Sequence, residues 1–295
     1  MPGSSTVGGV RSPGQPAATG DPAPFGTLLK RWRDRRRLSH QELSLLAGVS
    51  ARHLSFLETG RPQPSPDMVL SLAEHLRVPL RERNELLFAA GFAPTFPRRA
   101  YDAPELRAVR RAVEQVLSGH HPYPALAVDR RWDVVAANSA MMALFGELPA
   151  SLLGPPSNVY RLTLHPDGLT PRLVNLAEVA TYLVHRLQAD LDATGDVQLG
   201  ALLEEVSAYP TVREVGAGRG RPPADAEVVV PIRLRHPRGE LAMFTTLTTF
   251  GSPADVTVAE LALELLYPLD VATADRLRVL AEGLPAMPAP PTGAT

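Results

Sequence analysis

The sequence predicts two domains of different class: an all-α domain of five short helices, followed by an α+β domain in which helices accompany an antiparallel sheet. Apolar residues recur at helical spacing between residues 25 and 92, which predicts the helices. Apolar runs that alternate with polar residues follow residue 125 and are joined by turn residues, which predicts the sheet. The length of 295 residues agrees with two domains.

The Pro-rich stretch 93–105 is predicted to be a linker between domains at 25–92 and 106–283. The stretches 1–24 and 284–295 are rich in Pro, Gly and Ala and are expected to be disordered tails.

Capping and turn residues indicate where the helices of the first domain begin and end. Ser39 is expected to cap the second helix, Gly48 to form the turn after it, and Ser50 to cap the third. The second helix is expected to bury Leu43 and Leu46. The five predicted helices are Phe25–Arg36, His40–Ala47, Ala51–Glu58, Pro66–Leu76 and Arg81–Ala90.

The second domain begins with a predicted helix and two short strands. The run Leu261–Tyr267 fits a strand or a helix, and its alternation favours a strand. A loop is expected at 213–226, and the simplest arrangement places all helices on one face of the sheet. The other predicted helices are Pro104–Leu117, Asn138–Phe145, two within Thr170–Tyr209 and Thr273–Leu280, and the other strands are Ala125–Val128, Trp132–Ala136, Val228–Arg235 and Glu240–Phe250.

Charge is distributed unevenly between the two domains. Residues 25–100 contain 13 Lys/Arg and 7 Asp/Glu, a balance of +6, whereas residues 101–295 contain 16 and 23, a balance of −7. A basic segment joined to an acidic one indicates that only the first meets a polyanion.

Residues 38–65 predict two short helices joined by a tight Gly turn, which is helix-turn-helix geometry. In this geometry the second helix enters the major groove of DNA with its N-terminus first. Short or long polar side chains on its exposed face can contact bases, and Phe56 can pack on a thymine methyl. The predicted base-reading residues are Ala51, Arg52, Ser55 and Phe56.

Phosphate contacts are expected from Ser50, Thr59 and Arg61, and the basic run that includes Arg36 and Arg37 adds a nonspecific electrostatic attraction. The stretch resembles the Cro/repressor-like, or XRE, family through Gln41-Glu42-Leu43, Ala47-Gly48-Val49-Ser50 and Gly60-Arg61. The resemblance implies further backbone contacts near the start of the second helix, from Ser39, His40 and Gln41.

Residues 54–94 resemble the first domain of MmyB-like regulators, and Pro155–Ala180 resembles part of their C-terminal ligand-binding domain. The resemblance implies a PAS-like fold, in which helices cover an antiparallel sheet around an apolar pocket for a fatty-acid-like ligand. Arg161 or Arg186 could pair with a ligand carboxylate. The candidate pocket residues are Trp132, Asn138, Tyr160, Arg161, His165, Tyr182, Arg186 and Phe244.

Other chemistries are poorly supported. The adjacent His120 and His121 cannot share one helical face, so no metal site is expected. The Gly-rich stretch Val215–Pro222 lacks the Lys-Ser/Thr of a phosphate-binding loop, and no Gly-x-Ser-x-Gly motif occurs. We expect no enzyme activity and no cofactor other than a fatty-acid-like ligand.

The sequence therefore predicts a cytoplasmic homodimer that binds a double-stranded DNA operator and a small apolar or acyl ligand. No apolar run reaches the length of a membrane span and no secretory signal is recognised, so no membrane association is expected. Two alternatives stay open: the second domain could be a protein-interaction module without a small-molecule ligand, or an enzyme tethered to DNA.

Overall fold

The computed structural model describes residues 23–146, 148–217 and 230–282. Residues 1–22 and 284–295 of the predicted tails, residues 218–226 of the predicted loop and the first two residues of the strand predicted at Val228 lie outside the described residues. The N-terminal domain contains five helices, as predicted: α1 Phe25–Arg35, α2 His40–Ala47, α3 Ala51–Glu58, α4 Pro66–His75 and α5 Leu80–Ala89.

Side-chain caps define where these helices begin. The Ser39 hydroxyl accepts a hydrogen bond from the backbone N–H of Glu42, and the Glu42 carboxylate accepts one from the backbone N–H of Ser39, which completes a capping box. Ser50 caps α3 and Ser65 caps α4 in the same manner, each accepting from a backbone N–H three residues on. The starts of these three helices are therefore set by the local sequence.

The core of this domain differs from the prediction at one position of α2. Leu43 is fully buried, but Leu46 is 53% exposed, and Ser44 is buried in its place. The Ser44 hydroxyl donates to the carbonyl of Gln41 at 2.7 Å, so its burial leaves no unpaired group. The remaining core consists of Phe25, Leu29, Trp32, Leu54, Leu57, Val69, Leu72, Ala73, Leu76, Val78, Leu86, Leu87 and Ala90.

The C-terminal domain is built on a five-stranded antiparallel sheet, which confirms the predicted fold class. The run at residues 261–267 forms a strand, as its alternation indicated. The strands are β1 Ala125–Val128, β2 Val134–Ala137, β3 Ile232–Leu234, β4 Leu241–Thr249 and β5 Ala262–Pro268. Neighbouring strands follow the order β2-β1-β5-β4-β3.

Helices cover both faces of this sheet, so the expected one-sided arrangement is wrong. Helix α6 places Val113 and Leu117 against Ala125, Ala127 and Leu263 on one face. These residues alternate along their strands with residues of the other face, which explains why β1 is buried on both sides. The other helices are α6 Arg107–Gly119, α7 Ser139–Phe145, α8 Ala150–Leu153, α9 Val159–Leu164, α10 Leu176–Thr194, α11 Val197–Ala208, α12 Pro210–Glu214, α13 Val256–Ala259 and α14 Val271–Glu282.

The stretch predicted as a linker is hydrogen-bonded to both domains. The Asn84 side chain in α5 accepts from the backbone of Thr95 and Phe96 and donates to the Phe96 carbonyl at 2.7 Å. On the other side, the backbone N–H of Val256 donates to the Pro97 carbonyl at 2.8 Å. The predicted linker is therefore held against both domains by hydrogen bonds.

A buried ionic cluster joins the two domains. The Arg130 guanidinium, in the turn after β1, lies 2.9 Å from Glu82 of α5, 3.1 Å from Asp196 and 3.0 Å from Glu260. The Arg130 side chain is 12% exposed, and the three carboxylates are 7%, 8% and 15% exposed. Arg81 of α5 also donates to Glu260, at 2.7 Å.

We expect Arg130→Met to lower the free energy of unfolding by about 3 kcal/mol, because it leaves three buried carboxylates without their shared cation. Urea unfolding at neutral pH measures this loss. The matched control is Arg278→Met, which removes the exposed pair with Asp275 and should cost less than about 1 kcal/mol. Equal losses in the two variants would show that the cluster does not hold the domains together.

Candidate nucleic-acid interface and ligand cavity

Helices α2 and α3 are joined by the tight turn that the sequence predicts. Gly48 adopts a left-handed conformation, with φ of 65°, which a side chain would disfavour. Its neighbour Val49 donates its backbone N–H to Ser44 at 3.1 Å, and α3 starts two residues later. Leu54 and Leu57 are buried against the rest of the domain. The opposite side of α3 is therefore presented outward.

The outward side of α3 carries the four predicted base-reading residues together. Arg52 is exposed, whereas Ala51, Ser55 and Phe56 are half-buried. The Phe56 ring has the guanidinium of Arg52 5.3 Å from its centre and that of Arg61 4.9 Å from its centre. These cation–π contacts position two cations at the surface of one helix.

Some of the residues predicted to contact the DNA backbone have exposed side chains, whereas others use their side chains in hydrogen bonds within the domain. Gln41, Arg37 and Arg61 are exposed. The Ser39 and Ser50 hydroxyls cap helices, and the Thr59 hydroxyl donates to the Ser55 carbonyl at 2.9 Å. All three residues are nevertheless exposed.

Arg36, which belongs to the basic run, contacts backbone groups of the domain instead of facing outward. Arg36 donates to the carbonyls of Leu76 and Arg77 at 2.8 and 3.1 Å, where α4 ends. Burial lowers the pKa of Arg36, and the nearby Arg35 lowers it further. The exposed positive charges of α1 and the turn that follows are Lys30, Arg31, Arg35 and Arg37.

The Glu58 carboxylate connects the three helices of the motif. It accepts from Arg33 of α1 at 2.7 and 3.1 Å, and it lies 2.9 Å from the His40 ring of α2. The side chains of Glu58 and Arg33 are 5% and 9% exposed. Burial alone would raise the pKa of Glu58, but the hydrogen bonds from Arg33 and His40 lower it below its usual 4.5. Glu58 was not among the site residues predicted from the sequence, and His40 was predicted to contact DNA phosphates.

A small cavity lies in the C-terminal domain, between the sheet and helices α7, α9 and α10. Its free volume is about 60 Å³. Four polar residues line it: Thr163, Tyr182, Thr245 and Glu264. The apolar lining consists of Leu126, Met141, Leu144, Phe145, Val159, Leu169, Val179, Leu183, Val230, Ile232, Leu234 and Leu266.

Of the eight candidate pocket residues, the described lining of this cavity includes Tyr182 alone. Arg186 lies next to it, donating to the Tyr182 hydroxyl at 3.2 Å and stacking 4.2 Å from the Trp132 ring centre. Trp132 donates to Asp190 at 3.0 Å and packs edge-on against the fully buried Tyr160. These four residues therefore form one cluster at the side of α10.

The other four candidates have separate contacts. Asn138 is buried and caps α7, where it bonds four backbone groups. Arg161 makes a two-bond pair with Glu205 at 2.8 and 2.7 Å. His165 packs edge-on against Tyr209, and Phe244 stacks on Tyr267. The apolar, alternating residues of the strands indicate which side of the sheet faces the core, but they do not distinguish the cavity lining from ordinary core.

The family of the chain is decided by residues 109–280, more than half of its length, which match the model for the MmyB-like transcription regulator ligand binding domain. The chain belongs to this family. Residues 24–86 match a helix-turn-helix domain model, so both resemblances predicted from the sequence are confirmed. The cavity lies within the part of the chain that matches the ligand-binding model.

Two curated relatives are similar to part of this chain. The uncharacterized HTH-type transcriptional regulator RghRB of Bacillus subtilis (strain 168) is 34% identical over 84 residues, 28% of this chain and 58% of that protein. The HTH-type transcriptional repressor RghR of the same organism is 36% identical over 69 residues, 23% of this chain and 49% of that protein. The chain thus spans about half the length of the curated relatives it matches.

A solved structure of an RNA-binding light-oxygen-voltage receptor aligns with 88% of this chain and 60% of its own, at 12% identity. Its TM-score of 0.27 is too low to inform the fold. Within the described ranges, no helix has the length and apolar character needed to cross a membrane. The same ranges contain no group of three or more His, Cys, Asp or Glu side chains suited to a metal ion.

We expect Glu58→Gln to lower the free energy of unfolding by about 2 kcal/mol at pH 7, because a neutral amide replaces the carboxylate that Arg33 and His40 contact. The folded-state pKa of Glu58 is lowered, so its stabilisation is present above about pH 4.5 and is lost as the pH falls below that value. The stability difference between wild type and variant should therefore shrink at pH 3.5. Urea unfolding followed by circular dichroism tests this, with the exposed Glu74→Gln as control. A difference that stays constant with pH would contradict the proposed role of Glu58.

Proposed function

We propose that this chain is a sequence-specific DNA-binding transcription regulator that reads the major groove with α3. The observation that carries the proposal is the outward face of α3, where Ala51, Arg52 and Ser55 lie together beside the Gly48 turn. The helix-turn-helix match and the two HTH-type relatives support the same function. In this role Arg52 bonds guanine O6 and N7, while Arg61 and the backbone N–H of Ser50 contact phosphates.

The proposed regulator acts as a homodimer in the cytoplasm. One reading helix contacts only a few base pairs, and regulators with this motif commonly bind paired half-sites about one helical turn apart. The acidic C-terminal domain supplies the dimer contact, because it does not compete with the basic N-terminal domain for DNA.

Selection of binding sequences from a random double-stranded DNA library tests the DNA-binding proposal. Wild type should enrich two related half-sites whose centres are about 10 base pairs apart. Arg52→Ala should lose discrimination at one base pair of each half-site, at a cost of about 1–3 kcal/mol in binding free energy. The control is Arg107→Ala, an exposed arginine of α6, which should leave the enriched sequence unchanged. Unchanged selectivity in Arg52→Ala would refute the assignment of α3.

The C-terminal domain is proposed to sense a small apolar, fatty-acid-like ligand. The family match to a ligand-binding domain and the cavity with its mostly apolar lining support this role. A cavity of about 60 Å³ is smaller than an ordinary ligand pocket of roughly 300 Å³ or more. The flexible side chain of Met141 and its neighbours on α7 must therefore move to admit a longer chain.

The small cavity also favours a second candidate function, in which the domain responds to a protein partner and binds no metabolite. Native mass spectrometry of the purified chain discriminates between the two. The sensing proposal expects a bound species of a few hundred daltons that is released on denaturation, and the same mass should be absent from the denatured protein. A native mass equal to that of the bare homodimer would favour the partner-binding function.

A further inference from the structure

The Phe56 ring contacts two arginines that come from opposite ends of α3. Arg52 lies one helical turn before Phe56, and Arg61 follows the end of the helix. The guanidinium carbon of Arg52 lies 5.3 Å from the ring centre, and that of Arg61 lies 4.9 Å from it. Within the described residues neither guanidinium forms an ion pair or a side-chain hydrogen bond. The ring is therefore the group that restrains both cations.

The backbone turn after α3 determines where Arg61 lies. Gly60 has a φ of 72°, and its N–H donates to the Leu57 carbonyl at 3.1 Å. The N–H of Arg61 donates to the Phe56 carbonyl at 3.0 Å, and the Thr59 hydroxyl donates to the same carbonyl at 3.1 Å. The two backbone bonds form a Schellman motif, in which the residue after the glycine commonly packs against the residue whose carbonyl it bonds. Here that packing is the contact of Arg61 with the Phe56 ring.

The position of Arg52 follows from the helix itself. Residues four apart lie on the same face of a helix, so Arg52 and Phe56 are neighbours whenever α3 is formed. The first turn is held by Ser50, whose hydroxyl accepts from the backbone N–H of His53 at 3.1 Å. The Phe56 ring thus connects a cation in the first turn of the reading helix with a cation beyond its last turn.

Restraint of an arginine before DNA arrives favours binding. A free arginine side chain occupies many rotamers, and ordering it on binding costs free energy. A guanidinium that already lies near an aromatic ring has lost part of this freedom, so less is lost when the complex forms. The contact with the ring uses the positive charge of the guanidinium, and its N–H donors stay available to a base or a phosphate.

We propose that Phe56 is a positioning residue for both DNA contacts and reads no base itself. It holds Arg52 where the guanidinium meets a base pair and Arg61 where the guanidinium meets a phosphate. The inference rests on the proposed reading of the major groove by α3, and it replaces the expected contact of Phe56 with a thymine methyl. Its consequence is that a change at Phe56 alters recognition at the base pair that Arg52 reads.

Replacement of Phe56 by leucine tests the inference, because leucine stays apolar but has no aromatic face. Full-length wild type, Phe56→Leu and Arg52→Ala are each used to select sequences from a random double-stranded DNA library. Phe56→Leu should lose its preference at the same base pair of each half-site as Arg52→Ala. Its affinity for the duplex that wild type enriches should fall about tenfold, in line with the loss of two exposed cation–π contacts.

The salt dependence of binding to the same duplex gives a second measurement. The logarithm of the affinity falls with the logarithm of the salt concentration, with a slope of about 0.9 for each phosphate contact. Arg61→Ala should therefore lower the magnitude of this slope by about 1. Phe56→Leu should lower it in the same direction by up to about the same amount, because Arg61 is no longer restrained near its phosphate. A purely structural role of Phe56 would leave the slope unchanged.

Two further variants separate the ring from general effects of the substitution. Phe56→Tyr should rescue the preference at the Arg52 base pair, because tyrosine presents an aromatic face to the same cations. The matched control is Phe88→Leu, the same change at an exposed phenylalanine of α5, which should leave the enriched sequence and the slope unchanged. Selectivity is read as the ratio of affinities for the enriched duplex and for one altered at that base pair. Partial unfolding does not affect this ratio, because the folded fraction is common to both duplexes.

The possible results distinguish this inference from the proposed reading by α3. If Phe56→Leu loses its preference only at a different base pair, Phe56 reads that base directly and the inference is overturned. If Phe56→Leu keeps the wild-type preference and slope while Arg52→Ala does not, the inference is overturned and the reading by α3 stands. If Arg52→Ala also keeps the wild-type preference, the assignment of α3 fails and the inference fails with it.

Discussion

Arg130 lies in the turn after β1, where its guanidinium meets carboxylates from three segments of the chain: Glu82 of α5, Asp196 and Glu260. Removing charged groups from water costs free energy. Their mutual attraction offsets this cost only when most of the groups have an ionic or hydrogen-bond partner in good geometry. A shift of one domain relative to the other would leave buried charges unpaired. The relative position of the two domains thus depends on this cluster, to which the Arg81–Glu260 and Arg35–Thr194 contacts add.

The turn that carries Arg130 has an unusual backbone. Trp132 adopts a φ of 66°, a region that few residues other than glycine occupy, and Asp129 accepts from the backbone of Arg131 and Asp133 within the same turn. The result is that Arg130 extends toward α5 while Trp132 reaches Asp190 of α10. The local strain is retained because buried contacts on both sides hold the turn.

Much of the secondary structure could be predicted because it follows from local pattern. Ser39, Gly48 and Ser50 set the bounds of α2 and α3, and alternation identified the strand at residues 262–268. Partners distant in the chain leave no such pattern: Arg130 and Glu82 are 48 residues apart, and Glu58 and Arg33 are 25 apart. The cavity was missed for a related reason. Its lining is ordinary core sequence, and only the packing of α7, α9 and α10 on the sheet leaves space between them.

Helix α10 is the element that touches both the cavity and the interface between the domains. Val179, Tyr182 and Leu183 line the cavity. The 19-residue helix ends at Thr194, whose carbonyl accepts from Arg35 of α1 at 3.1 Å. Gly195 permits this approach, because a side chain there would occupy the space of the Arg35 guanidinium. Asp196 follows at once and joins the Arg130 cluster. A packed helix moves as a unit, so a ligand that displaces the cavity end of α10 must alter the Arg35 and Arg130 contacts or leave them strained. Proposed sensing and proposed DNA reading would then share these contacts.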